Sequence, residues 1–126
     1  MYRDLVAQGR RGDAAQYFME KVVGMPPEFV AGARSQPWWP AQEALAHTLE
    51  YDAMVMGDYS LPEARIREVQ TPTLVADGSA SFPFVLETAR AVADLLPHGQ
   101  HRTLDGQQHN VDPRALAPVL TEFFQG

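Results

Sequence analysis

Two spacing rules govern the chain, and they change over near residue 68. Up to about residue 67, apolar positions recur at helical intervals. Ala14, Tyr17, Phe18 and Val22 share one face, and Asp13 with Gln16 reads as a capping box that opens their helix. Gly24 ends that segment, and Pro26-Pro27 can start another carrying Phe29, Val30 and Ala33. "QPWWPAQ" interrupts the pattern at Pro37 and restarts it near Pro40. Leu45, Leu49, Ala53 and Met56 then predict one long helix that stops at Gly57. Ser60 and Glu63 read as a second capping box, with Pro62 in the first turn.

Beyond residue 68 the spacing alternates between two kinds of element. "TPTLVADG" (71–78) is a short apolar run between Pro72 and Gly78, the signature of a buried strand in a parallel sheet. Val85, Ala89, Val92 and Leu96 predict an amphipathic helix over 83–96, stopped by Pro97 and Gly99. "HRTL" (101–104) reads as a short, polar strand suited to a sheet edge. A polar turn, "DGQQHN", follows. Asp112 is a good N-cap, and Pro113 a good first residue, for a helix presenting Leu116, Val119, Leu120 and Phe123. The order strand–helix–strand–helix predicts an α/β arrangement with two parallel strands joined by a right-handed crossover.

Composition narrows the partners more than the fold. At 126 residues the chain has the size of one domain. Ten basic against sixteen acidic residues leave a net charge of −6, which opposes binding to nucleic-acid phosphates. No basic amphipathic helix and no long apolar run suggests a membrane. There is no cysteine, so thiol catalysis, thiolate metal sites and disulfides are excluded. The opening "MYRDLVAQGRRGD" lacks the apolar core of a signal peptide, so a cytoplasmic location is expected. His98 and His101 form an H-x-x-H without an evident third ligand, and no Gly-rich phosphate loop occurs. Neither a metal nor a cofactor is expected.

Four residues stand out chemically. His109, displayed on the turn after the second strand, suits a proton acceptor, although a solvated loop histidine has the same local pattern. Asp77, at the end of the first strand, is either a catalytic acid or a turn carboxylate capping nearby N–H groups. Trp38 and Trp39, bracketed by prolines, suit the apolar wall of a substrate pocket or the packing between helices.

The run from "REVQTPTLVADG" through "AVADLLPHGQHRTLDGQQHNVDPRALAPVLTEFF" resembles the C-terminal end of an α/β-hydrolase. In that family the last strand leads into a Gly-x-x-His turn, matched here by Gly106-Gln107-Gln108-His109. Residues 1–67 look like the family's helical cap, and 68–126 like its C-terminal core. The resemblance implies that His109 serves a serine nucleophile, that the role of acid passes to Asp77, the only carboxylate close to Gly78, and that Trp38 and Trp39 roof the substrate. Two departures accompany the match. None of the serines (Ser35, Ser60, Ser79, Ser81) lies in a G-x-S-x-G context, and the turn after Gly78 reads Ser79-Ala80-Ser81-Phe82 where the family commonly carries an acid.

The expected function is therefore the cap and histidine-bearing part of a serine hydrolase acting on a small apolar ester or related acyl substrate. It would be inactive until a nucleophile-bearing half is supplied. The alternatives are a non-catalytic remnant that binds a partner protein or apolar ligand, and a truncation product without a role. In either working form, the apolar strand 72–76 should be buried against a second copy in a homodimer or against the nucleophile-bearing half.

Overall fold

The computed structural model describes every residue, Met1–Gly126, and divides into two compact units, Met1–Ser60 and Leu61–Gly126.

The first unit is all helix. It comprises α1 (Tyr2–Ala7), α2 (Arg11–Tyr17), α3 (Pro27–Ala33), α4 (Trp39–Leu45) and α5 (Leu49–Met56). A π-helical turn, Phe18–Val22, prolongs α2, with the Val23 N–H donating to the Phe18 carbonyl. Its core joins Tyr2, Ala14, Ala15, Val30, Ala33, Trp39 and Ala46. Four of these are alanines, which let helices approach closely, while the Trp39 indole and the edge-to-face pair Tyr2–Tyr17 supply the bulk. Burial pushes the Tyr2 hydroxyl up to about 12, with the neighbouring Tyr59 phenol adding to the effect.

Other polar contacts replace both expected capping boxes. Asp13 lies in the first turn of α2, whose N-cap is Arg10. Its two oxygens accept from Arg10 Nε (2.8 Å) and from Arg34 on α3 (3.0 Å). Gln16 is likewise taken by Arg34 and Glu20. Ser60 bonds back to Asp58 through both its N–H and its hydroxyl, and Pro62 becomes the N-cap of the next helix.

The single long helix expected over 41–56 is broken. Ala46–Thr48 form a 3₁₀ turn, with Thr48 Oγ1 donating to the Leu45 carbonyl and His47 Nδ1 bonded to that of Ala44. Three residues per turn in place of 3.6 rotate α5 relative to α4. Leu49 and Ala53 still pack on the core, whereas Leu45 is 58% exposed and Met56 is also exposed.

The second unit follows the expected order: α6 (Glu63–Arg67), β1 (Thr73–Gly78), α7 (Pro83–Leu95), β2 (Gly99–Leu104) and α8 (Pro113–Gln125). The strands form a two-stranded parallel sheet in the register Thr73↔Gly99 through Gly78↔Leu104. β2 starts two residues earlier than its polar core suggests. Gly99 permits this, because a Cβ there would lie 2.3 Å from the Ala93 carbonyl oxygen of α7. Ala89, Ala93, Leu96 and Leu104 are buried, and Asp112 caps α8 by accepting from the Arg114 N–H. No helix is long and apolar enough to cross a membrane.

Candidate active site

The chemistry of the second unit gathers where both parallel strands end, the edge at which α/β sheets hold ligands. Register decides which side chains meet there. Val75 lies opposite His101, so Asp77 and His101 are diagonal neighbours on one face of the sheet. His101 Nε2 is 2.8 Å from Asp77 Oδ2. The Asp77 side chain is 1% exposed and that of His101 22%. The other carboxylate oxygen, Asp77 Oδ1, is buried without a partner, as is Ser81 Oγ four residues on.

The turns after β1 and β2 interlock. Ser79 N–H donates to the Leu104 carbonyl (3.0 Å), and Ala80 N–H to that of Gln107 (2.9 Å). Ser79 Oγ accepts from the Gly106 N–H (2.8 Å). Gly106 has φ 68°, the left-handed conformation that favours glycine. Gln107 Oε1 accepts from the Asp112 N–H and closes the loop onto the start of α8. Gly78 is pressed against this loop from below: a Cβ on it would lie 2.3 Å from the Gln107 oxygen and 2.7 Å from that of Gln108. The base of the turn is thus fixed to β1 by backbone contacts.

His109 emerges from this seat exposed and without a hydrogen bond, its ring centroid 5.9 Å from that of Phe82. An unencumbered imidazole in that position can take a proton from an incoming group. It has no carboxylate to fix its tautomer, because Asp77 bonds His101 and no hydrogen bond joins Asp77 to His109. In the first unit the tryptophans part company. Trp39 is buried, with its indole N–H donating to Glu43 Oε1 (2.7 Å) and Arg34 over its ring at 5.6 Å. Trp38 remains 45% exposed.

His101 is the residue that sequence reading did not single out for this role. Only the strand register brings it beside Asp77. An alternating strand with a histidine two residues before the partner position of an acid is the one local signal.

No family model matches the chain, and no curated protein matches it. A solved α/β hydrolase from Sphaerobacter thermophilus is 50% identical to it, with a TM-score of 0.85. The match covers 98% of this chain and 48% of the hydrolase, so the chain spans about half the length of that relative. With its two-stranded parallel sheet and helix-rich remainder, the chain is part of an α/β-hydrolase fold, and its order of elements is consistent with the C-terminal half of that family.

Proposed function

We propose that the chain supplies the cap and the histidine-bearing part of a serine hydrolase, acting on esters or related acyl compounds with small apolar groups. The observation that carries this reading is the exposed, unbonded His109 on a turn anchored across the ends of two parallel strands. His109 takes the proton of a serine supplied by hydrolase sequence outside these 126 residues and returns it to the leaving group. Trp38 stays exposed at the start of α4, and the buried Trp39 anchors that helix. Asp77, at the end of β1, is the carboxylate beside Gly78, and its unpartnered Oδ1 is the atom available to a histidine.

A second reading, a non-catalytic member that binds a partner or an apolar ligand, is favoured by one observation: the Asp77 oxygen that forms a bond is taken by His101 rather than His109. A panel of short-chain activated esters separates the two. The chain alone is expected to be inactive. Mixed with a hydrolase segment carrying G-x-S-x-G, it should gain activity, and His109→Ala should lower kcat/KM by about 10³-fold or more. Activity that appears in the mixture and survives His109→Ala would remove His109 from the reaction. No activity in the mixture would favour the binding protein.

A further inference from the structure

Beside His109 lies a surface that proton transfer does not explain. Phe82 closes the turn after β1, and Phe84 stands in the first turn of α7. Their rings are stacked, with centroids 5.8 Å apart and planes 17° from parallel, and the His109 ring is inclined at 57° to that of Phe82. The extended backbone of Phe82 and the fixed φ of Pro83 make the corner between turn and helix, and the side chains flanking Pro83 meet across it. This corner shares the anchorage of the histidine turn. The Ala80 N–H donates to the Gln107 carbonyl, the Ser81 N–H to that of Gly78, and the Val85 N–H to that of Phe82. The stacked rings and the imidazole are thus mounted on the same interlocked turns.

Packing of α7 does not account for Phe84. At about 100° per residue it lies roughly 140–180° round the helix from the buried Ala89 and Ala93. It is 50% exposed, Phe82 is half-buried, and the stretch SASFPFVL (79–86) carries no charge. The patch is too small for a protein partner. A whole aromatic side chain covers about 150–250 Å². Two that are partly exposed fall well short of the roughly 800 Å² per partner of a stable interface. They match one flat ring. An aliphatic group gains only the burial of its area there, whereas an aryl group also gains offset stacking.

We propose that Phe82 and Phe84 are specificity residues that seat an aromatic ring of an ester, in its acyl or its alcohol part, beside His109. The inference deepens the proposed function and rests on it for the ester. Its test reads binding, so the two can fail separately.

The 126-residue chain is titrated with two isomeric aryl esters, benzyl acetate and methyl phenylacetate, and with the cyclohexyl counterpart of each. The ring resonances of Phe82, Phe84 and His109 are followed by NMR. At least one aryl ester should bind about three- to tenfold more tightly than its cyclohexyl counterpart and shift all three rings. Which of the two does so assigns the ring to the alcohol or the acyl part. Phe84→Leu keeps an apolar group at an exposed position but removes the flat face, so it should abolish the preference, and Phe84→Tyr should keep it. Four results would overturn the proposal: equal affinity for aryl and cyclohexyl esters, a preference that survives Phe84→Leu, shifts confined to the first unit, or no binding of either class. An aryl preference without turnover in the ester panel would leave the aromatic seat standing and remove the catalytic reading. Turnover without an aryl preference would do the reverse.

Discussion

Replacing Gly78 with alanine tests whether the histidine turn is truly seated on β1. Gly78 does not adopt a positive φ, so its backbone accepts alanine without conformational penalty. The whole effect is steric. The added Cβ would sit 2.3 Å from the Gln107 oxygen, 2.7 Å from its carbonyl carbon and 2.7 Å from the Gln108 oxygen. These are backbone atoms and cannot swing aside as a side chain would. Restoring ordinary contact requires a displacement of about 1 Å, which opens the Ala80–Gln107 bond and strains the Gly106–Ser79 bond. At about 1 kcal/mol per bond, plus the usual cost of overpacking, the loss should be about 2–3 kcal/mol.

The choice of assay follows from composition. Both tryptophans and all four tyrosines lie at or before residue 59, so fluorescence reports only the first unit. Amide exchange at Ala80 and Gly106 reads the second unit directly, and both should exchange about 30- to 150-fold faster in Gly78→Ala. Exchange within about twofold of the parent would show that the turn adapts freely, and the argument for a fixed His109 would fall.

His101→Ala should destabilise the second unit by about 1–3 kcal/mol, since it leaves Asp77 buried with neither oxygen bonded; His101→Gln, which keeps a donor, should recover part of this, and unchanged exchange along β1 in both variants would contradict it. Hydrogen bonds from Arg34 first, and then Arg10, hold the Asp13 carboxyl below the usual carboxylate range. Its contribution to stability is therefore present above the unfolded value, about 3.9, and is lost as pH falls through the lower folded value. Asp13→Asn should flatten the acid limb of the first unit's unfolding profile, followed by tryptophan fluorescence; identical acid limbs would refute the assignment.

The second half of the chain was legible because its signals are local. "TPTLVADG", the 3.6-residue spacing of Val85 through Leu96 and the Asp112-Pro113 start each specify an element without help from elsewhere. The first half misled where a residue had a stronger distant partner. Asp13 has the identity and spacing of an N-cap, but a guanidinium twenty-one residues away claims it. The break at 46–48 left no glycine or proline as a marker, since alanine, histidine and threonine all read as tolerable helix residues. At the site, His109 was visible from its turn. The Asp77–His101 pair was not, because a diagonal contact exists only once the register of two strands is fixed. The difference between the adjacent tryptophans was equally hidden, since burial of Trp39 depends on helices that start far from it in sequence.

The π turn at Phe18–Val22 sets the direction in which the chain leaves α2. Its wider coil holds one residue more than an α-helical path between the same two ends. Rewinding the same residues as an ordinary α-helix would leave that residue over and turn everything downstream by about 100° about the helix axis. Met25, which packs on the core and whose N–H reaches back to the Met19 carbonyl, would be swung away from both. A chain one residue shorter in this stretch could instead follow the α-helical path between the same two ends, so related chains that lack the residue should keep the following loop at its present length.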